Sequence, residues 1–143
     1  MKKTNSTPTP NEVRMWHHID AQGKILGKVA TEAAVLLRGK LKPEFRRHND
    51  VGDIVVITNA AEVVVTGNKE TDKLYRTHSG YPGGLKETSL AKVRATHPNR
   101  IIEHAVSGML PKTKQRDIWM NRLKIYSGAE HPHAANLAQK SEK

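Results

Sequence analysis

Apolar residues recur along this chain in two rhythms. Leu26, Val29, Ala30, Ala33 and Leu37 return at the three- and four-residue spacing that places them on one side of an α-helix. The spacing predicts a helix of about three to four turns, closed near Gly39 by a glycine able to take the left-handed C-cap conformation. Ahead of it, the β-type run Trp16–Asp20 leads into a turn at Ala21-Gln22-Gly23. The second rhythm is continuous rather than alternating. Asp53-Ile54-Val55-Val56-Ile57-Thr58 is almost wholly β-branched and predicts a strand buried on both faces and central in its sheet. Val63-Val64-Val65-Thr66 follows after four residues and ends at Gly67-Asn68. So short a link suits a hairpin, because parallel neighbours need a longer crossover; the local pattern leaves the direction of this pair open.

Leu74 to His78 reads as a further extended piece, and Ser79-Gly80-Tyr81-Pro82-Gly83-Gly84 as a loop made irregular by glycine and proline. Two helices follow, one around Leu90 to Ala95 and one from Pro98 to Ser107. In the second, Pro98 suits the first turn, Ile101, Ile102, Ala105 and Met109 share a face, and Gly108 is the stop. The basic segment Lys112 to Lys124 carries Ile118, Trp119 and Leu123 and has room for one more helix. Residues 1–13 are polar with Pro8 and Pro10 and read as a flexible leader. Residues 14–128 read as one α/β domain and residues 129–143 as a polar tail; 143 residues suffice for one domain with a core but not for two and a linker.

Charge then narrows the partner. Lys and Arg number 24 against 14 Asp and Glu, a formal net charge of +10, and a polyanion is the expected partner. Between Asn49 and Asn68 there is no Lys or Arg, whereas Arg38, Lys40, Lys42, Arg46, Arg47 and His48 lie just before and Lys69, Lys73 and Arg76 just after. Charge-poor strands with basic borders suit a scaffold that presents cationic loops to a phosphate backbone, although any one of these residues alone fits an ordinary solvated face. No stretch approaches the roughly 20 apolar residues that cross a bilayer. The absence of cysteine excludes disulfides, thiolate zinc sites and Cys nucleophiles, and the leader lacks the apolar core of a secretory signal. Asn5-Ser6-Thr7 matches a glycosylation sequon only formally.

Candidate chemistry is sparse. Gly23-Lys24-Ile25-Leu26-Gly27-Lys28-Val29 resembles a phosphate loop, but only three residues separate the glycines and Val29 stands where a magnesium-binding hydroxyl belongs. A turn and helix cap explain it better than a nucleotide site, while Lys24 and Lys28 can still meet a phosphate there. Of eight histidines, His17-His18 and His131-Pro132-His133 invite a metal reading; without Cys or a His-x-x-x-His pair on a firm helix, hydrogen bonding or stacking on RNA is preferred for His131 and His133. Asp50 and Asp53, flanking Gly52, suit turn formation and N–H acceptance better than acid/base catalysis. There is no Gly-x-Ser-x-Gly elbow. Tyr75, Tyr81, Trp119 and Tyr126 lie among cations and suit stacking on unpaired bases, with packing preferred for Trp16 and Trp119.

Three blocks are specific enough to name a family. Gly52 to Ala60 continues through Val65-Thr66-Gly67-Asn68-Lys69 and Tyr75-Arg76-Thr77-His78-Ser79-Gly80-Tyr81-Pro82-Gly83-Gly84; Gly108-Met109-Leu110-Pro111-Lys112 follows; Leu123-Lys124-Ile125-Tyr126 and Glu130-His131-Pro132-His133 complete the set. From Trp16 to about His133 the chain resembles the universal large-subunit ribosomal protein family L-thirteen in its bacterial form. The resemblance implies a three-layer α/β/α domain around a small, mainly parallel four-stranded sheet. It implies a structural constituent of the large subunit, cytoplasmic in the ribosome, that binds large-subunit rRNA beside neighbouring ribosomal proteins and supports assembly. It implies no catalysis, cofactor, metal, membrane or small-molecule substrate. Carried over by position, the RNA contacts are Arg38, Lys40, Lys42, Arg46 and Arg47; Lys69, Lys73, Arg76, His78, Tyr81 and Lys86; and Lys112, Lys114, Arg116, Arg122 and Lys124. The chain departs from the family at Gln115-Arg116-Asp117, where members commonly show a Leu-Gly-Arg step. The alternatives are a free regulator that binds messenger RNA and a small nucleotide-dependent enzyme using the Gly23 turn.

Overall fold

The two rhythms become a parallel sheet with helices packed on it. The computed structural model describes residues 14–138; the predicted leader and the sequon lie outside them. Trp16–Asp20 is strand β1, and Leu26–Arg38 is helix α1, whose buried side is Leu26, Val29, Ala30, Ala33, Ala34 and Leu37. Gly39 closes α1 at φ 70°, its N–H donating to Leu36 O at 3.0 Å while the N–H of Lys40 reaches Val35 O at 3.1 Å. This paired return satisfies the last carbonyls. Ile54–Thr58 is β2, the middle strand of the order β1-β2-β5, with both neighbours parallel to it. Central position and burial on both faces are what its unbroken β-branched sequence predicts.

Beyond β2, Asn59 turns the chain at φ 57° into a 3-10 turn, Ala60–Glu62. That turn is why no hairpin forms: the N–H groups of Asn59 and Ala60 go to Gly128 O and Tyr126 O, and the run Val63–Thr66 leaves in another direction. Only Val64 pairs, in a single parallel bridge with Ile25. The parallel sheet therefore has three strands among the described residues, not the four that the resemblance implied. Next come the short helix α2 (Lys69–Asp72), the antiparallel hairpin β3 (Leu74–His78) and β4 (Leu85–Ser89), then helices α3 (Leu90–Thr96) and α4 (Pro98–Met109). Gly108 lies inside α4 rather than ending it, because Ile101, Ile102 and Val106 carry the buried stripe on past it to Leu110. Helix α5 (Gln115–Asn121) leads into β5 (Leu123–Ile125), and α6 (Ala134–Ala138) follows.

Val55 and Ile57 turn one sheet face into the core with α1, α4 and Trp119. Trp16, His18 and Val56 occupy the alternate register and face the other way. Over them lie the rings of His133, 5.0 Å from Trp16, and of His131, 5.6 Å from His18, with α6 packed on β1. The segment expected as a polar tail thus lies against the sheet as far as residue 138.

Candidate nucleic-acid interface

The loop after α1 and the segment before β5 are 72 positions apart at their main contact, and one carboxylate joins them. Asp50 accepts both terminal nitrogens of Arg122, Nη1 at 2.8 Å, together with the Trp119 indole N–H at 3.0 Å and Arg14 Nη2 at 3.2 Å. A planar guanidinium fork on a carboxylate fixes orientation as well as distance. Arg122 also donates to Leu37 O at 3.4 Å, pinning the end of α1, and Gln115 Nε2 donates to His48 O at 3.0 Å. Next to this clamp, Asp53 accepts the Met15 N–H at 3.0 Å, Lys42 Nζ at 2.6 Å and His17 Nε2 at 3.0 Å. Burial pushes the Asp53 carboxyl upward, but the bonds from His17, Lys42 and Met15 outweigh it and hold the group below its ordinary value.

These clamps bring the cations after α1 alongside those of residues 112–116. Arg38, Lys40, Phe45, Arg47, Thr113 and Trp119 line one cleft. A smaller groove leads away along the stripe Thr31, Ala34, Val35 and Arg38 of α1, and beyond Met109 lies a larger one at Gly27 that Lys69, Asp72 and Lys73 border. Met109 stands in the wall of both. From residue 27 to residue 38 the helix rises about 16 Å, so cations stand at both ends of a groove of that length. Lys24, Lys28, Lys40, Arg46, Arg47, His48, Lys69, Lys73, Lys86, Lys112, Lys114 and Lys124 are exposed and Arg116 is half-buried, and none of the lysines or arginines in this set has a carboxylate within ion-pair distance among the described residues.

Other predicted site residues are committed within the protein. Lys42 and Arg122 are held by Asp53 and Asp50, and the Arg122 side chain is only 10% exposed. Arg76 pairs across the hairpin with Glu87 at 2.6 Å. His78 Nδ1 accepts the Gly80 N–H at 2.9 Å, which orders the loop. His133 Nε2 meets the Tyr126 hydroxyl at 2.9 Å. Tyr75 packs 5.1 Å from His104, and burial of its hydroxyl pushes the phenol up; Tyr81, 76% exposed, keeps a free ring face. Trp119 is core, in line with the packing preferred for it.

The Gly23 turn is not a nucleotide cradle. The N–H groups of Gly23, Lys24, Leu26 and Lys28 already donate to Glu62 O, Ala21 O, Val64 O and Ile25 O, leaving few donors for a phosphate. Among the described residues no three His, Cys, Asp or Glu side chains cluster as a metal would need, and no helix is long and apolar enough to cross a membrane. Phe45, Thr31 and Met109 escape the sequence reading as groove residues because none carries charge. Arg94 escapes it too and is structural: it takes Glu70 with Nε and Nη2 at 2.8 and 3.2 Å and caps Val63 O at 2.9 Å.

A small α/β scaffold whose clefts are rimmed by unpaired cations belongs to the class of proteins that seat on a polyanion. Comparison with known sequences gives the class a family. The model of ribosomal protein L13 matches residues 14–132, and the chain belongs to that family, which is structural and not enzymatic. The large ribosomal subunit protein uL13 of Alcanivorax borkumensis is 49% identical over 140 residues, covering 98% of this chain and 99% of that one. Those of Bordetella petrii (56% over 127 residues, 88% and 89% covered) and Shewanella denitrificans (51% over 134, 93% and 94%) are similarly related.

Proposed function

We propose that this chain is a structural constituent of the large ribosomal subunit, binding large-subunit rRNA beside neighbouring ribosomal proteins in the cytoplasmic ribosome and supporting subunit assembly. The observation that carries the reading is the groove along α1 with unpaired Lys and Arg at both ends. RNA strands brought together repel unless cations stand between them, and each phosphate neutralised releases counterions. Residues 14–128 carry the binding. Lys40, Arg46, Arg47, Lys112, Lys114 and Arg116 form one contact region, Lys24, Lys28, Lys69 and Lys73 a second, and the hairpin with Tyr81 and Lys86 a third. Lys42 and Arg122 contribute by holding the first region in shape. The family's layered arrangement accords with α1 and α4 on one sheet face and the segment ending in α6 on the other, with Val63–Thr66 beside Ile25 in the fourth strand's place.

The test is binding of the purified protein to large-subunit rRNA fragments over a salt series with small-subunit rRNA as competitor. The expected result is saturable binding that prefers large-subunit fragments and weakens by on the order of 10³-fold from about 50 to 200 mM salt if six or more phosphates are contacted. Weak binding without preference would reduce the chain to a generic polycation and refute the proposal.

A further inference from the structure

The cleft at the C-terminal end of α1 holds a cation for which the described residues supply no hydrogen-bond acceptor. The Arg38 guanidinium lies 5.4 Å from the Phe45 ring centroid and 5.7 Å from that of Trp119, and Trp119 is itself fixed by its bond to Asp50. Two aromatic rings hold the group in place. Its Nε is buried without a hydrogen-bond partner, and no acceptor of the described residues takes its terminal nitrogens within hydrogen-bond distance.

Helix capping does not account for Arg38. The three carbonyls before its own at the end of α1 are already taken: Val35 O by Lys40 N–H, Leu36 O by Gly39 and Asp53 N–H, and Leu37 O by Arg122. Nor does an ion pair, since the nearby Asp50 and Asp53 are occupied by Arg122, Arg14 and Lys42. What remains is a half-buried cation, immobilised and unneutralised, with Lys40 and Arg47 lining the same cleft. Such a group costs free energy in the free protein that a matching anion removes. A guanidinium fork matches an oxyanion that accepts two N–H groups at once.

We propose that this cleft is a seat for a single phosphodiester of the RNA strand, with Arg38 as the fixed donor and Lys40 and Arg47 closing over the same group. An RNA phosphate is favoured over a carboxylate of a neighbouring protein because the cleft shares Arg38 and Lys40 with the groove along α1, and two lysines, Lys69 and Lys73, stand with one acid, Asp72, beyond its far end. A chain of regularly spaced anions follows such a track. The proposal rests on the rRNA-binding reading and narrows it to one group at one place.

The experiment compares the full-length wild type with Arg38→Gln, Arg38→Lys, Arg47→Gln and, as control, Lys92→Gln on α3. Each is titrated with deproteinised large-subunit rRNA across a salt series, and urea unfolding verifies the fold of each. Arg38→Gln is expected to raise Kd about tenfold and to flatten the log Kd against log salt slope by roughly 0.7 to 0.9. Arg38→Lys should lose severalfold despite its retained charge, because the ammonium lacks the planar fork. Arg47→Gln should flatten the slope in the same direction and Lys92→Gln should match wild type. Should Arg38→Gln unfold, Arg38→Lys and the exposed Arg47→Gln decide between the outcomes. If wild type binds with salt dependence but Arg38→Lys and Arg47→Gln both bind within about twofold of it and with its slope, the seat is refuted, a partner carboxylate becomes the better occupant, and the wider reading stands. If wild type itself shows no salt-dependent preference for large-subunit rRNA, both fall together.

Discussion

Gly52 is the position where a single methyl group should do most harm. Its φ is not in the left-handed region, so backbone conformation is not the reason. Space is: a Cβ built there lands on the carbonyl oxygen of Leu37 and comes within 3.1 Å of Arg122 Nη2. Leu37 is fully buried in the core, so its backbone can yield only by dragging the last turn of α1 with it. Movement of Leu37 O also loosens the bond from Arg122, whose other contacts hold Asp50. Overpacking of a tight site costs about 1–3 kcal/mol, and a strained buried hydrogen bond adds about 1 kcal/mol. Gly52→Ala should therefore destabilise by about 3 kcal/mol. Urea unfolding followed by tryptophan fluorescence reads this directly, since Trp119 shares the clamp. With m of about 1.5–2 kcal/mol/M for a protein of this size, the midpoint falls by roughly 1.5–2 M. Gly108→Ala is the matched control: it lies in helix α4 with nothing near the added methyl, and should gain up to about 0.5–1 kcal/mol. A Gly52→Ala midpoint within about 0.3 M of wild type would show that the α1 terminus and the β2 entrance are not in rigid contact, and would remove the basis for a fixed first contact region.

The remaining predictions concern charge and the hairpin loop. Asp50→Ala leaves the largely buried Arg122 guanidinium without its carboxylate and should cost about 3 kcal/mol, measured by the same unfolding curve; a loss under about 1 kcal/mol would make the clamp ornamental. Asp53 has a carboxyl pKa below its unfolded value, so its contribution to stability is complete above the unfolded pKa of about 4 and is lost as pH falls through the folded one. Asp53→Asn should lower stability at pH 7 and flatten the acid limb below about pH 5, and an unaltered limb in acid titration would contradict this. Gly83 sits at φ 72°, and Gly83→Ala should strain the loop by about 1 kcal/mol. Gly84→Ala instead collides with Ser79 Oγ. Both should weaken rRNA binding more than they lower the unfolding midpoint, whereas full binding by Gly80→Ala, Gly83→Ala and Gly84→Ala together would exclude the hairpin from the interface.

Much of the fold is legible because burial writes itself into residue type. The stripe from Leu26 to Leu37, the Gly39 stop and the unbroken run of β2 follow from one side or two sides being dry. Strand β4 left no such mark: Leu85, Lys86 and Glu87 are exposed and Thr88 and Ser89 only half-buried, so it has no alternation to read. The Val63–Thr66 run misleads for the opposite reason, since Val63 is buried as part of the hydrophobic core while only Val64 pairs, in one bridge with Ile25. Gly108 looks like a stop because local sequence cannot show that the helix's buried stripe continues beyond it.

Legibility of the site ends where pairing begins. A charge count treats every Lys and Arg alike, but the fold divides them. Asp50, Asp53, Glu70 and Glu87 between them neutralise Arg14, Arg122, Lys42, Arg94 and Arg76. Four carboxylates are thereby drawn into interior or hairpin contacts, with partners up to 72 positions away. The cations left on the rim, Arg38, Lys40 and Arg47 at one end of the groove and Lys69 and Lys73 at the other, then stand with no carboxylate paired to them among the described residues. In water a lone surface lysine is worth little, whereas cations lining a shared cleft with low-dielectric walls reinforce one another's field. The net charge of +10 foretells a polyanion; the internal pairing of these four carboxylates is what keeps them from neutralising the cations at the two ends of α1.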